Sequence, residues 1–591
     1  MAEPVRLVIW DLDETFWKGT LTEGPIAHLP ETRAIVTELT RRGIVSSICS
    51  KNDFEQVRSA LQAEGLWDYF IFPSINWEPK GPRLNALIES VQLRPETVLF
   101  IDDNPSNLEE VRHFNPRVQV AGVDLIPRLL DDPLFAGKSD PELSRLHQYK
   151  ALEHRKADEA SSPGGLEEFL RQSGIRVRIL YELDSHLDRI IELVNRTNQL
   201  NFTKRRLSED PEQARIELTD LLHSHEVQAG LLHVVDRYGD HGYSGFYLLR
   251  NGTELLHFCF SCRLLGMGIE PWLYNRLGRP KLAISGAVLS NPKAEAPRID
   301  WVTLEDCAPS AAREGEPEAA GLSDYRFDWV AARGGCDLQA LSHYFKVASP
   351  QVLGEFNVGR GGFDARVDHS VFLRYALTGL GTEAIAEVAK VGYRAEDFQT
   401  MLNQRRQGSG LLLLSFWADV AYALYRHRKL GFVLPFALSG RANHVLDARL
   451  ATTEELPTNL RNGWMASALR TLQSDYDYLG AIDEVLFKEN LRLILSALPK
   501  DIPTVLVKAN TTLYDREHNV THTSSDNMDL NRWMTEVADY FPAAHIVNIR
   551  DVISSEDQVL DWSHFDRIVY YRLYERICDI VQNDTEQPAR A

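Results

Sequence analysis

Two carboxylates end the first apolar run of the chain. Residues 5–10 read Val-Arg-Leu-Val-Ile-Trp, and Asp11 and Asp13 follow with one residue between them. Such a run predicts a buried strand, and open α/β sheets bind ligands beyond the carboxyl ends of their strands. Two neighbouring carboxylates are costly unless a cation or proton lies between them, and Mg²⁺ prefers oxygen ligands. The pattern predicts phosphoryl chemistry with Mg²⁺ as cofactor.

Polar residues also follow two later strand candidates. Ser50 follows residues 43–49, and the acidic pair Asp102 and Asp103 follows the apolar residues 98–101. Between them, Lys80 lies in a turn-rich segment that could bring an ammonium to a phosphate. Strands alternating with helices predict a parallel sheet, whose carboxyl ends meet at one edge. We therefore expect one shared site.

Composition limits the classes of function. The 591 residues predict several domains, and 44% apolar with 25% charged residues is typical of globular protein. A formal charge of -20 argues against nonspecific binding to nucleic acid or to an anionic membrane, and we expect neither partner. Six cysteines are too few for a disulfide framework. The apolar segment 410–419 is too short to span a bilayer, and no N-terminal signal sequence precedes Asp11, so we expect a cytoplasmic protein.

The four motifs, in this order, resemble the haloacid dehalogenase superfamily. The resemblance implies a Rossmann-like phosphatase domain over residues 1–138. It makes Asp11 the nucleophile and Asp13 the general acid and base. It further implies that Asp11, the backbone carbonyl of Asp13 and Asp102 bind Mg²⁺ with support from Asp103, and that Ser50 and Lys80 bind the phosphoryl oxygens.

Flanking residues are similar to one branch of that superfamily, the FkbH-like proteins. The similar segments are 9–17, 49–53, 76–80, 100–105, 195–203, 236–242 and 260–268. The resemblance implies a glyceryl transferase/phosphatase with 1,3-bisphosphoglycerate as substrate. Such an enzyme takes the glyceryl unit, removes the remaining phosphate and loads glycerate as a thioester on a phosphopantetheinylated acyl carrier protein of a polyketide-type pathway.

Residues 139–308 predict an α+β acyltransferase-like domain with a candidate thiol. Cys259 and Cys262 fall in a predicted strand over 255–262, where residues three apart face opposite sides, so a shared metal ion is disfavoured and Cys259 is expected in the core. After Cys262, the Arg263-x-x-Gly266-x-Gly268 run resembles the phosphate-binding turn of Gcn5-related acyltransferases.

Cys262 is the candidate acyl-transfer nucleophile, because a helix N-terminus lowers a thiol pKa. The FkbH-like resemblance also places the glyceryl thioester there, whereas the alternative is a buried structural cysteine. His241 is the candidate base, on a loop between two strands, with Asp240 either orienting it or capping the turn. Residues 195–203 and the basic run 204–206 either meet the substrate or carrier, or form a solvated face.

A small, acidic segment with Pro and Gly, residues 309–322, predicts a linker before a third domain over 323–591. Its strands and helices again predict an α/β fold. A strand ending at Gly335-Cys336 and a late Asp561-x-x-His564 resemble the SGNH hydrolases, with Cys336 in the usual serine position and Gly335 in that of the usual aspartate. Gly362 and Asn510 are the candidate oxyanion-hole residues. The alternative is an inactive docking module.

Three hypotheses remain. The first is the carrier-loading enzyme described above, with the third domain moving or editing the acyl group. The second is a phosphatase of a small phosphometabolite, in which the later domains confer specificity. The third has the C-terminal half as an interaction scaffold.

Overall fold

The computed structural model describes residues 3–224, 226–294, 299–305, 326–438, 445–451 and 463–585. In these residues, three large sheets of five, six and five strands follow one another along the chain with their helices, beside four small sheets of two or three strands. The predicted linker 309–322 and Cys307 lie outside the described residues. Within the described residues, no helix is both long enough and apolar enough to cross a bilayer.

The first sheet is parallel and carries the paired acids at one edge. Its strands and helices, with the short hairpin β2–β3, are β1 Leu7–Trp10, β2 Trp17–Lys18, β3 Ala27–His28, α1 Pro30–Arg41, β4 Val45–Ser50, α2 Phe54–Ala63, β5 Ser74–Ile75, α3 Lys80–Val91, β6 Val98–Ile101, α4 Pro105–Phe114 and β7 Gln119–Ala121. The strand order is β5-β4-β1-β6-β7. β1 is buried along its whole length, as its apolar sequence predicts. This is a doubly wound, Rossmann-like arrangement with its order reversing at β1 and β6.

The second sheet is mixed, as expected for an α+β unit. Its elements are α5 Ser144–Ser161, α6 Gly165–Gln172, β8 Ile175–Leu180, α7 Leu187–Arg196, α8 Pro211–Leu222, β9 Val227–Asp236, β10 Gly239–Arg250, β11 Glu254–Phe260, α9 Ile269–Arg276, β12 Lys281–Leu282 and β13 Val302–Leu304. The strand order is β12-β11-β10-β9-β8-β13, with β8 to β11 antiparallel. Leu146 of α5 packs into the core of the first sheet, so this helix joins the two units.

The third sheet is again parallel, in the order β15-β14-β18-β22-β25. The elements of this unit are β14 Trp329–Gly334, α10 Cys336–Ala348, β15 Val352–Phe356, β16 Val358–Arg360, β17 Phe363–Arg366, α11 Ser370–Thr378, α12 Thr382–Lys390, β18 Gly410–Ser415, α13 Ala418–Ala421, β19 Leu424–His427, β20 Val433–Pro435, α14 Trp464–Asp475, β21 Tyr476–Gly480, α15 Glu484–Ala497, β22 Thr504–Lys508, β23 Thr512–Asp515, β24 Val520–Thr523, α16 Ser525–Ala538, β25 Ala544–Asn548 and α17 Arg567–Thr585. The apolar segments 327–332, 410–415, 431–435, 504–508 and 544–549 predict strands, and each overlaps one, whereas the edge strand β15 and most strands of the small sheets were not predicted.

The second and third units share one hydrophobic core. Tyr247 of β10 and Tyr344 of α10 belong to the same buried cluster. The Tyr247 hydroxyl lies 3.0 Å from Nε2 of His343, across the junction. Because apolar burial is the main source of stabilisation, we expect these two units to be stable as one packed body rather than as two independent domains.

Candidate functional sites

The carboxyl ends of β1 and β6 bring Asp11 and Asp102 to either side of Lys80. The Lys80 ammonium lies 2.6 Å from Asp11 Oδ1 and 2.7 Å from Asp102 Oδ2, and all three side chains are buried. Burial raises the pKa of Asp11, although the Lys80 charge opposes this shift. Burial would lower the pKa of Lys80, but the two carboxylates reverse the shift and raise it. Lys80 therefore remains a cation between two acids.

Asp13 is oriented by neighbours that the sequence did not point to. Trp17 Nε1 donates to Asp13 Oδ1 at 2.8 Å, the amide of Leu21 donates to the same oxygen at 3.1 Å, and Asn52 Nδ2 donates to Oδ2 at 2.9 Å. Three donors fix the plane of this carboxylate beside Asp11. A fixed carboxylate at the mouth of the site is what proton transfer to a leaving group requires.

Ser50 is buried at the end of β4, and its hydroxyl is hydrogen bonded to Asp11. Its backbone carbonyl accepts a hydrogen bond from Arg83 at 3.0 Å, and Arg83 also donates to the carbonyl of Asn76 at 3.0 Å and to that of Glu78 at 3.1 Å. This buried arginine ties the loop before Lys80 to the strand end that carries Ser50. The predicted phosphate ligands Ser50 and Lys80 are thus brought together.

The acids at this edge fit a divalent cation. Asp11, Asp102 and Asp103 each offer an oxygen within 4.8 Å of one another. Asn107 Nδ2 donates to both oxygens of Asp102 at 3.1 Å, and the Thr15 hydroxyl donates to Asp103 Oδ1 at 3.3 Å. Three hard oxygen ligands oriented by such donors suit Mg²⁺. The Asp13 carboxylate is not in this group, which is compatible with a ligand role for its backbone carbonyl alone.

Cys262 lines a second cavity, of about 580 Å³, with its walls formed by the first and second units. The strand expected to include Cys262 ends earlier, at Phe260, and Cys262 begins a 3-10 turn. The expected low thiol pKa is wrong for this structure, because burial raises the pKa of Cys262 more than the Arg263 guanidinium lowers it. Cys259 is buried in the core, as expected.

His241 lines the same cavity, but its partner is not the expected one. A shift of register between Asp240 and Gly242 makes His241 a bulge residue within β10 rather than a loop residue. Its Nε2 lies 3.2 Å from Asp236 Oδ2, whereas Asp240 pairs with His233 at 3.0 Å. Asp236 is therefore the carboxylate beside His241. Of the two alternatives for Asp240, the turn cap holds, because Asp240 Oδ1 accepts a hydrogen bond from the amide of Gly242 at 2.6 Å.

The glycine turn after Cys262 is separate from the cavity. Gly266 and Gly268 both have positive φ, and Gly268 precedes α9, but neither lines the cavity that contains Cys262. The first turn of α9 holds its own carboxylate, Glu270, which is buried and accepts a hydrogen bond from Ser290 at 2.9 Å. Of the predicted phosphate ligands in this unit, only Arg263 faces the thiol cavity.

Cys262 and Asp11 lie beyond opposite edges of the first sheet. The cavity wall includes Arg6 and Thr97, which precede β1 and β6, whereas Asp11 and Asp102 follow these strands. Five residues of strand separate Arg6 from Asp11, which corresponds to roughly 16 Å. The two predicted centres are therefore distinct sites.

The third unit brings the predicted cysteine, histidine and aspartate together. Cys336 is exposed at the first residue of α10, and its thiol is hydrogen bonded to the imidazole of His564. His564 Nδ1 lies 2.7 Å from Asp561 Oδ2. The hydrogen bond to Asp561, and next the contact with Cys336, raise the pKa of His564 to about 10. Burial would raise the pKa of Asp561, but the hydrogen bond from His564 lowers it to about 2.

Of the two predicted oxyanion-hole residues, only Asn510 lies beside Cys336. Gly362 lies in the turn between β16 and β17 and does not line the small cavity beside Cys336, so that prediction is wrong. Asn510 does line it, but its Nδ2 donates to the carbonyl of Thr512 at 2.8 Å. Asn357 lines it too, and donates to Asp368 at 3.0 Å.

A pair of carboxyl groups faces Cys336 in this cavity. The Ser415 hydroxyl lies 3.5 Å from Asp337 Oδ1 and 3.4 Å from Asp368 Oδ2. Burial, and next the charge of Asp368, raise the pKa of Asp337 to about 7. Asp337, two positions after the expected place at Gly335, was not singled out from the sequence.

Among known proteins, some solved structures are similar to this chain over a small part of its length. No protein-family model matches the chain, and no curated protein is similar to it. Among solved structures, the N-terminal part of a Bacteroides fragilis protein, which contains a phosphatase domain complexed with Mg, is 23% identical with a TM-score of 0.20; the match covers 23% of this chain and 41% of that one.

Two further neighbours are assigned as phosphatases. One, from Vibrio cholerae, is assigned as a 3-deoxy-D-manno-octulosonate 8-phosphate phosphatase and is 18% identical, with 23% of this chain and 84% of that chain covered and a TM-score of 0.18. The other, from Mesorhizobium loti, is assigned as a HAD-like phosphatase and is 15% identical. The match covers 26% of this chain and 88% of that one, with a TM-score of 0.16. TM-scores this low carry no function over to this chain, so its function has to follow from the geometry of its own sites.

Proposed function

We propose that the first unit is a Mg²⁺-dependent phosphatase with Asp11 as nucleophile. The observation that carries this proposal is the set of Asp11, Lys80 and Asp102 at one sheet edge, with Lys80 2.6 Å and 2.7 Å from the two carboxylates. Phosphoryl transfer requires a positioned nucleophile and positive charge around the phosphoryl oxygens, and this edge supplies both.

The side chains divide the steps between them. Asp11 attacks phosphorus, and Asp13 donates a proton to the leaving oxygen. Asp13 then takes a proton from the water that attacks the aspartyl phosphate, while Ser50 and Lys80 hold the phosphoryl oxygens. Asp11, Asp102, Asp103 and the carbonyl of Asp13 would hold Mg²⁺, which when bound neutralises charge on the phosphoryl group.

The whole chain is proposed to be a glyceryl transferase/phosphatase. The Cys262 thiol attacks the acyl carbon of 1,3-bisphosphoglycerate, the bond to the anhydride phosphate breaks, and inorganic phosphate leaves with its electron pair. His241, whose Nε2 lies 3.2 Å from Asp236 Oδ2, is the candidate acceptor of the thiol proton. A half-exposed thiol in a cavity of about 580 Å³ supports this role, because both a donor and a pantetheine thiol have room to enter.

Carrier loading tests this proposal. The enzyme, Mg²⁺, 1,3-bisphosphoglycerate and a phosphopantetheinylated carrier protein are incubated, and the carrier is weighed by mass spectrometry. We expect a glyceryl mass gain that is lost in Cys262→Ala. Phosphate release with a carrier that is never loaded would instead support a phosphatase of a small phosphometabolite, with the C-terminal half as scaffold.

The Asp11→Asn variant separates the two chemical steps. We expect it to abolish removal of the ester phosphate while a phosphorylated acyl adduct accumulates on Cys262, detected in the peptide that contains this residue. Cys336→Ala serves as the matched thiol control and should leave that adduct intact. Absence of an adduct in Asp11→Asn would contradict Cys262 as the nucleophile.

A second candidate activity belongs to the third unit. The chain of hydrogen bonds from Cys336 through His564 to Asp561 supports acyl transfer or editing on the Cys336 thiol. We expect Cys336→Ala to change the fate of the loaded glyceryl group without changing phosphate release. Unchanged turnover in every assay would favour the docking module.

A further inference from the structure

The Cys262 cavity has an excess of guanidinium groups in a chain whose net charge is -20. Eight arginines and three acidic residues line it: Arg6, Arg94, Arg117, Arg145, Arg155, Arg189, Arg196 and Arg263, with Glu96, Glu192 and Asp240. The acids do not neutralise all of these arginines. Glu192, for example, pairs with Arg189 at 2.7 Å and with Arg196 at 3.3 Å, both near the rim.

Four of the arginines have no carboxylate partner, and one of them, Arg6, is exposed. Among the described residues, no acidic oxygen lies within ion-pair distance of Arg145, Arg155 or Arg263, and the Arg263 guanidinium donates to the carbonyl of His241 at 3.4 Å. Arg145 is hydrogen bonded to the Tyr149 hydroxyl, which is neutral. Of the remaining three, Arg155 is buried and Arg145 and Arg263 are half-buried. Charges withdrawn from water are normally paired, so these three unpaired cations around one cavity indicate that the counter-charge is a ligand.

Arg155 gives the most specific indication of the three. It is 4% exposed, it lines the cavity from α5, and its Nε has no hydrogen-bond partner. A buried guanidinium donor left unpaired costs free energy that an anionic acceptor in the cavity would recover. The planar fork of arginine also matches the oxygens of a phosphate group.

We propose that Arg145, Arg155 and Arg263 form a phosphate-binding site that holds the phosphorylated donor beside the Cys262 thiol. The identity of that donor, an acyl phosphate with a second phosphate ester, rests on the proposed function. The anion site itself does not, because it follows from the unpaired arginines. The phosphodiester of phosphopantetheine has related chemistry and is the other source of phosphate for this site.

Protection of Cys262 from alkylation tests the site without turnover. The full chain is treated with iodoacetamide, and the modification of Cys262 and of Cys336 is followed in separate peptides by mass spectrometry. 2,3-Bisphosphoglycerate, which cannot acylate the thiol, is the probe, and phosphopantetheine and inorganic phosphate are parallel arms. Potassium chloride at matched ionic strength is the control for screening.

We expect 2,3-bisphosphoglycerate to slow alkylation of Cys262 and to leave Cys336 unaffected. Arg263→Gln and Arg155→Gln should each raise the half-protecting concentration roughly 10- to 100-fold, because each loses a charge-assisted hydrogen bond. Arg171→Gln is the matched surface control, since Arg171 pairs with Asp300 at 3.1 Å outside the cavity, and it should match the wild type. Arg263 is only half-buried, so its variant tests the site even if Arg155→Gln folds poorly.

Two results would overturn the anion site, and a third would overturn its assignment to the donor. One is equal protection by chloride, and the other is protection that Arg263→Gln leaves unchanged in a chain whose Cys336 reacts normally. Stronger protection by phosphopantetheine than by the bisphosphate would assign the site to the carrier arm and overturn the donor assignment. Protection by the bisphosphate with no carrier loading would keep the anion site and reject the transferase, so the two failures can be told apart.

Discussion

Removing the Lys80 ammonium should destabilise the first unit, and more so as the pH rises. In Lys80→Met, Asp11 and Asp102 lose their shared cation while both remain buried. Breaking a buried ion pair by deleting one partner costs roughly 3 to 5 kcal/mol. That corresponds to a roughly 100- to 4,000-fold larger open population of β1.

The sign of the pH dependence follows from the Asp11 carboxyl group. Its pKa is already raised by burial, and the Lys80 charge is what holds it down. Without that charge the pKa rises further, so the folded state binds more protons than the unfolded state does. Destabilisation by Lys80→Met should therefore grow from the ordinary aspartate pKa of 3.8 upward through the raised value. Mg²⁺ should reduce the loss, because it supplies positive charge to the same carboxylates.

Hydrogen exchange of the peptide that contains β1 is the appropriate assay, because a chain with several cores does not unfold in one step. Exchange is compared at pH 5 and pH 8, with and without Mg²⁺. Lys18→Met is the control, since Lys18 pairs with Glu14 at 3.3 Å with both side chains exposed, and its loss should change stability by less than about 0.5 kcal/mol. Exchange of β1 that is the same in Lys80→Met and wild type at pH 8 would refute this reasoning.

Two other perturbations address the third unit. Asp561→Asn should lower the pKa of His564 from about 10 toward 6.5, as followed by NMR of the ring protons. The internal control is the surface pair of Asp515 and His518, which has the same Asp-x-x-His spacing and an Nδ1 to Oδ2 distance of 2.8 Å. An unchanged titration midpoint of His564 would exclude Asp561 as its partner. Gly334→Ala would place a Cβ 2.6 Å from a Leu338 methyl and 2.7 Å from the Ser415 hydroxyl, so we expect roughly 1 to 3 kcal/mol of destabilisation by overpacking. Hydrogen exchange of the peptide that contains β14 measures this loss, and exchange equal to that of wild type would contradict this packing.

The acidic site at the edge of the first sheet was largely predictable because it depends on regular structure. Asp11 and Asp102 each follow an apolar strand, and the carboxyl ends of parallel strands must meet at one edge. Arg83 and Asn52 were missed, since their contacts depend on how the loops at this edge fold back on one another. No local spacing shows that Arg83 holds the Ser50 and Lys80 segments together.

Irregular backbone limited how much of the Cys262 site could be predicted from the sequence. The bulge at His241 alters the alternation of side chains along β10, so that Asp236 rather than Asp240 faces the imidazole. The pKa of Cys262 could not be inferred from the nearby helix, because α9 begins only after the glycine turn and burial dominates. The arginines around the thiol come from separate segments of the first 263 residues, and only the tertiary fold shows that they converge.

The placement of Asp11 and Cys262 beyond opposite ends of β1 allows two defective variants to complement each other. Under the proposed function, a glyceryl group has to pass between the two sites, and nothing in that transfer requires both side chains to belong to the same polypeptide. A mixture of Asp11→Asn and Cys262→Ala chains should therefore complement in trans and load the carrier with dephosphorylated glycerate, although each variant fails alone.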